Sequence, residues 1–184
     1  MAAVAEARRQ RFVSTYAIPE YDAGVLTQSA QLADYFEAVV RGSTSPKSAS
    51  NWIMGELLRT LKERDGSIDD TPLTPAALAG LIALVDDSTI SSTTGKTVFA
   101  TMYDSGRTAD EIVKTEGLAQ NSDETALLDA VRAVMAANGD AVAQVRAGKQ
   151  QTFGFLVGLV MKQSGGKANP KVVNQLLRRE IEKG

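Results

Sequence analysis

Residues 145–184, VRAGKQQTFGFLVGLVMKQSGGKANPKVVNQLLRREIEKG, combine the densest apolar run of the chain with its densest positive charge. The run from Phe153 to Met161 leaves almost no polar face, which is typical of a helix that other helices surround. Gly154 and Gly158 lie one helical turn apart, so we expect a neighbouring helix to cross close to their backbone. The run is roughly half the twenty apolar residues that a bilayer requires, so it is too short to span a membrane.

A turn separates this helix from the last one. In the segment SGGKANP, residues 164–170, the glycines favour the end of the first helix, Asn169 can cap the next, and Pro170 suits its first position. Apolar residues then recur at spacings of three and four, which predicts an amphipathic helix to about Glu182. The whole stretch is therefore expected to form a helical hairpin with a basic rim.

The charge of the chain is strongly polarised. From Val145 onward there are eight basic and two acidic residues, a net charge of +6, whereas residues 1–144 carry a net charge of −8. Such a face can be merely solvated, or it can contact RNA phosphates, because the Gly-Gly-Lys turn and the helix start offer amides that could hold an anion. The candidate RNA contacts are Lys149, Lys162, Lys167, Lys171, Arg178 and Arg179.

Composition excludes many kinds of site. The 184 residues are 43% hydrophobic and 23% charged, as in a folded globular protein. Cysteine and histidine are both absent, which excludes disulfides, thiolate or imidazole metal ligands, and nucleophiles that need a histidine base. The first twelve residues are too polar for a signal peptide. We expect a cytoplasmic protein that does not associate with membranes.

The rest of the chain also predicts helices. A helix over residues 1–12 is expected to expose Arg8, Arg9 and Arg11, and no period-two pattern persists long enough to predict a strand. The fold class is therefore all-α, with a helical domain over residues 1–117 and a tail domain of three or four helices over residues 118–184. The expected N-terminal caps of the later helices are Thr27, Ser45, Thr74, Ser91 or Ser92, Thr108 with Glu111 as a capping box, and Ser122.

Three features invite a chemical interpretation, and each has a simpler one. Residues 95–97, Gly-Lys-Thr, match only the end of a phosphate-binding loop, because Ile90 occupies the position of the first glycine and no strand precedes it. The pairs Asp69-Asp70 and Asp86-Asp87 are adjacent, so their carboxylates diverge instead of converging on one substrate bond. Trp52 lies on an apolar stripe and favours core packing over ligand stacking. No catalytic, cofactor-binding or metal-binding residue is therefore assigned.

Two ordered groups of motifs resemble a known family. The downstream group is GFLVGLVMKQSGGKANP (154–170), followed by Val173-Asn174 and Leu176-Leu177, and the upstream group is Tyr16, PEYDAGVLTQS (19–29), Tyr35-Phe36-Glu37, Pro46-Lys47 and Asn51-Trp52-Ile53. Together they resemble the C-terminal part of the B subunit of glutamine-dependent aspartyl/glutamyl-tRNA amidotransferase, whose tail is shared with YqeY-like proteins. The sequence departs from the usual signature at Phe153 and Leu159, where we expect altered packing.

The resemblance implies a role in tRNA binding. In that family an N-terminal cradle, which has no counterpart here, activates misacylated tRNA with ATP and magnesium and accepts ammonia from a glutaminase subunit. The resemblance therefore implies a fragment without catalytic activity or cofactor of its own, which positions misacylated tRNA and has tRNA and the other amidotransferase subunits as partners. The alternatives are a protein–protein adaptor and a stand-alone YqeY-like helical protein.

Overall fold

The computed structural model describes residues 2–42 and 45–184. These residues form helices and connecting turns, with no strand beyond an isolated bridge between Asn121 and Ala168, so the all-α prediction is confirmed. By their contacts they divide into two compact units, unit 1 up to Leu118 and unit 2 from Ala119 to Gly184. That each unit folds independently stays a prediction.

Unit 1 is a bundle of short helices around one apolar core. A π-helical turn, Ile53–Leu57, joins two of the helices, and a 3-10 turn covers Ile68–Asp70. The helices are α1 (Ala2–Tyr16), α2 (Glu20–Leu26), α3 (Ala30–Gly42), α4 (Pro46–Trp52), α5 (Leu58–Glu63), α6 (Pro75–Asp86), α7 (Ser92–Ser105) and α8 (Ala109–Glu116).

Most predicted helix starts of unit 1 are confirmed. The side chains of Ser45, Thr74 and Ser91 each accept a hydrogen bond from a backbone N–H three residues ahead. Thr108 and Glu111 form the predicted capping box, with the Thr108 N–H donating to Glu111 Oε2 over 3.0 Å. Local hydrogen bonds between neighbours in sequence thus set where these helices begin.

The predicted cap at Thr27 is wrong. Thr27 ends the unpredicted helix α2, and its hydroxyl donates to the Ala23 carbonyl over 2.7 Å. Ser29 takes the capping role for α3, since its hydroxyl oxygen accepts from the Leu32 N–H over 3.1 Å. Thr27 and Ser29 are close in sequence, and either hydroxyl could cap α3. Because α2 includes residues up to Leu26 and ends at Thr27, Ser29 is left to cap α3.

The first helix is more deeply packed than predicted. Phe12 is fully buried, with its ring centroid 5.0 Å from that of Phe36. Arg11 is exposed as expected, but Arg8 and Arg9 are half-buried. Arg8 forms ion pairs across to α3, including one with Glu37. An arginine on the packed side of an amphipathic helix can bury its stem while its guanidinium meets a carboxylate.

Glu37 gathers three donors at this α1–α3 contact. It accepts hydrogen bonds from Arg8 and from the Tyr16 hydroxyl, the latter over 3.1 Å, and Arg11 lies 2.7 Å away. Burial alone would raise the pKa of Glu37, but the hydrogen bonds from these groups lower it below its ordinary value. The carboxylate is therefore held ionised, and it ties α1 to α3.

Trp52 and Gly95 pack against each other inside unit 1. Trp52 is buried, as predicted, and its ring lies 6.4 Å from that of Phe99. A Cβ atom added to Gly95 would lie 2.7 Å from Val85 Cγ2 and 3.0 Å from the Trp52 ring. The Gly-Lys-Thr residues 95–97 lie within α7. Because Gly95 has no side chain, α7 can pack closely against Val85 and Trp52.

Unit 2 consists of four short helices around a second core. They are α9 (Glu124–Ala137), α10 (Gly139–Arg146), α11 (Gln150–Gln163) and α12 (Pro170–Glu182). The predicted cap at Ser122 is wrong by one residue, because the Asp123 carboxylate accepts the N–H groups of Thr125 and Ala126. A carboxylate is favoured there by the positive end of the helix dipole.

The prediction that other helices surround α11 is wrong. Phe153, Leu156 and Val160 are buried, but the Phe155 side chain is 56% exposed. Nothing lies within 4 Å of a Cβ atom placed on Gly154 or Gly158, so the expected helix crossing is also wrong. Four short helices leave one side of α11 uncovered, which a count of apolar residues does not reveal.

We predict that residues 119–184 fold on their own, because their core is built from their own helices. Domains of about 60 residues bury only around 60% of their unfolded surface, so the stability should be modest. A circular dichroism melt of residues 119–184 should show one cooperative transition. A gradual, non-cooperative loss of signal would contradict an independent domain.

Two helical glycines should respond oppositely to alanine. Gly158→Ala should raise the free energy of unfolding of unit 2 by up to about 1 kcal/mol, because the site is open and alanine favours a helix. Gly95→Ala should destabilise unit 1, since overpacking costs about 1–3 kcal/mol. Urea denaturation can follow unit 1 by the fluorescence of Trp52, the one tryptophan of the sequence, and both units by circular dichroism. If Gly158→Ala instead destabilised unit 2, the result would support a neighbouring helix that crosses close to Gly158.

Candidate nucleic-acid interface

The turn between α11 and α12 is closed by its own backbone. Gly165 and Gly166 have φ values of 66° and 73°, which suit glycine. Their N–H groups donate to the carbonyls of Lys162 and Met161 over 3.1 and 2.9 Å. Because these amides complete the end of α11, they are not available to hold an anion, and that part of the sequence prediction is wrong.

A second set of hydrogen bonds fixes this turn to the segment that precedes α9. The Asn121 N–H donates to the Lys167 carbonyl, and the Asn169 N–H donates to the Asn121 carbonyl, each over 2.7 Å. The Asn169 side chain accepts from the Lys171 N–H and donates to the Ser122 hydroxyl, each over 3.1 Å. Asn169 therefore caps α12 as predicted. We call this group of bonds the Asn121–Asn169 junction.

Three of the six candidate residues lie around the turn. Lys162 belongs to the last turn of α11, Lys167 lies between the helices, and Lys171 belongs to the first turn of α12. All three are exposed, and within residues 2–42 and 45–184 none has a carboxylate oxygen within 4.0 Å of its ammonium group. We call them the turn lysines. Their charges are free to meet an external anion.

The other three candidates lie towards the far end of the hairpin. Lys149 immediately precedes α11 and lies 13 positions before Lys162, which corresponds to about 20 Å along a helix. Arg178 places its guanidinium over the Phe153 ring, 4.9 Å from the centroid. Arg179 pairs with Glu124 at 3.9 Å. The six residues thus form two groups, and both arginines are already engaged within unit 2.

The carboxylate pairs of unit 1 have structural partners. Asp70 accepts the Ser67 N–H over 3.1 Å, which closes the 3-10 turn, and Asp86 accepts the Ser48 hydroxyl over 3.0 Å. In the described part of the chain, no three acidic side chains come together in a way that could hold a metal ion. None of the helices described there combines the length and apolar character needed to cross a membrane.

Unit 2 also has a groove that the sequence does not predict. It runs beside the first turns of α11, and its lining includes Asn138, Gln144, Thr152 and the exposed ring of Phe155. One signal was present in the sequence: Phe153, Leu156 and Val160 share one helical face, and Phe155 lies off it. The polar lining comes from α10, α11 and the corner between α9 and α10, and no local pattern predicts it.

The architecture defines a class of protein, an all-α chain in which a larger helical unit is followed by a small basic domain of four helices. Sequence comparison identifies the family. The GatB domain profile matches residues 34–181, and the chain belongs to this family.

Three relatives illustrate the similarity. Each is the B subunit of an aspartyl/glutamyl-tRNA(Asn/Gln) amidotransferase. The protein from Trichlorobacter lovleyi is 49% identical over 96% of this chain, that from Chlorobium luteolum is 50% identical over 96%, and that from Caldanaerobacter subterraneus is 46% identical over 97%. The chain spans 37% of the length of the first two relatives and 38% of the third.

Asn169→Ala should weaken unit 2 at the junction. Loss of a helix cap costs about 0.5–2 kcal/mol, and the bond to the Ser122 hydroxyl is lost as well. Asn174→Ala is the matched control, because its amide only donates to the Pro170 carbonyl within the same helix. Urea denaturation should show a clear loss for Asn169→Ala and little change for the control. Equal stabilities of both variants and the parent would show that the junction does not fix the turn.

Proposed function

We propose that this chain binds tRNA as the C-terminal part of an amidotransferase B subunit, and that it positions misacylated tRNA for transamidation performed elsewhere in such a protein. The observation that carries the proposal is the group of turn lysines, which have no carboxylate partner within the described residues and lie on a turn fixed by the Asn121–Asn169 junction. The relatives are named as B subunits of an aspartyl/glutamyl-tRNA amidotransferase, and this supports the proposal.

Lysines on a fixed turn suit contact with an RNA backbone. A lysine ammonium is a compact point charge on a flexible stem, so it can meet a phosphate oxygen without demanding one geometry. Phosphate contacts fix the position of a nucleic acid without reading its bases, and A-form RNA is recognised mainly through shape and backbone. The net charge of −8 on residues 1–144 should repel RNA from most of that part of the chain.

We also propose that the chain contributes no catalytic group and no cofactor of its own. The resemblance implies ATP and magnesium for the full-length family, whereas in the described part of the chain no three acidic side chains come together and residues 95–97 lie inside α7. No step of the proposed function passes through either group. The other amidotransferase subunits are proposed partners, and a cytoplasmic location stays a prediction.

A protein–protein adaptor is the second candidate function. It is favoured by two large apolar side chains of unit 1, Val4 and Tyr21, which are 73% and 74% exposed. Exposed apolar side chains can be buried against a partner protein where they form a contiguous patch. In that case the turn lysines would only keep the surface solvated.

We predict that tRNA binding is salt-dependent and uses the turn lysines. The affinity falls as salt rises, and each lost phosphate contact should make the plot of log affinity against log salt shallower by about 1. Lys167→Ala with Lys171→Ala should therefore reduce the size of the slope by about 2. Binding of an elongator tRNA can be measured by fluorescence anisotropy at several salt concentrations. The charge-matched control is Lys62→Ala with Lys114→Ala, which removes two exposed lysines from unit 1.

The control separates a located contact from a general charge effect. We expect the control variant to keep the slope and affinity of the parent. Equal losses in both double variants would show that net charge, and not the turn, attracts RNA. Absence of tRNA binding by the parent would contradict the proposed function and favour the adaptor.

A further inference from the structure

The groove beside α11 has an exposed aromatic wall. It lies between the corner that joins α9 to α10 and the first turns of α11, entirely within unit 2. Phe155 is 56% exposed, and among the described residues of unit 2 it is the large apolar residue that is left most accessible. An aromatic ring on a polar surface offers a platform on which a second planar ring can stack.

The polar lining of the groove offers both a donor and an acceptor. The Thr152 hydroxyl donates to Gln144 Oε1 over 3.1 Å, which leaves the amide nitrogen of Gln144 as a donor. The Asn138 amide nitrogen donates to the Val134 carbonyl over 2.8 Å, which leaves Asn138 Oδ1 as an acceptor. A donor and an acceptor beside a stacking surface match the edge of a nucleobase.

The charges around the groove favour a neutral ring inside it and a phosphate at its end. Asp140 is the charged residue of the lining, and its carboxylate would repel a phosphate placed in the groove. Lys149 lies where α11 begins, and its carbonyl accepts the Thr152 N–H over 3.2 Å. Lys149 has no carboxylate within 4.0 Å of its ammonium group among the described residues, so its charge is not paired within the protein.

We propose that this groove binds one unpaired nucleobase of the RNA. The base stacks on Phe155, its polar edge meets Gln144 and Asn138, and Lys149 neutralises the adjoining phosphate. The proposal rests on the proposed function, and it adds a contact that recognises an unpaired base to the backbone contacts of the turn lysines. It also gives Lys149, which lies far from the turn, a role of its own.

The experiment compares binding of two RNAs by fluorescence anisotropy at one salt concentration, an elongator tRNA and a fully paired RNA duplex. The variants are Phe155→Ala, Phe155→Leu and Phe155→Tyr, with Tyr21→Ala as the control for removal of an exposed aromatic ring in unit 1. Because Phe155 is exposed, all three variants should keep the melting curve of the parent.

Phe155→Ala should weaken tRNA binding by about 5- to 150-fold, the range expected for loss of one stacked base. Phe155→Leu should also weaken it, since leucine keeps apolar area without an aromatic face, whereas Phe155→Tyr and Tyr21→Ala should bind as the parent does. Duplex binding should be unchanged in every variant, because a paired duplex presents no free base. The salt dependence of tRNA binding should also be unchanged in Phe155→Ala.

Three outcomes would overturn the proposal. If Phe155→Ala binds tRNA as well as the parent, the groove takes no base, the turn lysines still stand, and Phe155 becomes a candidate protein contact. If Phe155→Ala weakens duplex binding equally, the ring acts through backbone contact and not through stacking. If the parent binds no tRNA, the proposed function itself fails, and this inference fails with it.

Discussion

The Asn121–Asn169 junction is the interaction on which the candidate RNA surface depends. Helices α11 and α12 have 14 and 13 residues, and isolated helices of this length are marginal in water. Their apolar faces hold them together, but the turn between them is polar and is positioned by hydrogen bonds. Asn169 is only 5% exposed, so its amide must find partners inside the protein, and those partners fix the turn.

The structure separates the cations that hold the protein together from those that face outward. After Val145, the arginines contact a backbone carbonyl, an aromatic ring or a carboxylate, and Lys183 pairs with Glu180. The planar guanidinium suits such stacked or forked contacts, whereas a lysine ammonium is strongly hydrated. Among the described residues after Val145, the ammonium groups without an internal partner, and so the most accessible to an RNA phosphate, are those of Lys149 and the turn lysines.

Local signals in the sequence predicted local structure well. The caps at Ser45, Thr74 and Thr108 and the turn before Pro170 depend on residues a few positions apart, so they could be read directly. The Asn121–Asn169 junction joins residues far apart in sequence, and no local pattern reports it. The π-helical turn Ile53–Leu57 was equally hidden, because its residues have the spacing of an ordinary amphipathic helix.

The error at α11 has a different physical cause. A dense apolar run shows that a helix can be buried on several sides, but the number of neighbouring helices decides how many sides are covered. Unit 2 provides contacts from α9, α10 and α12, which cover Phe153, Leu156 and Val160 and leave Phe155 outside. The exposure of Phe155 by itself follows from this shortage of neighbouring helices. The amides of Gln144 and Asn138 give the exposed ring a polar setting that suits the edge of a nucleobase, and Lys149, at the start of the same helix, is the residue proposed to meet its phosphate.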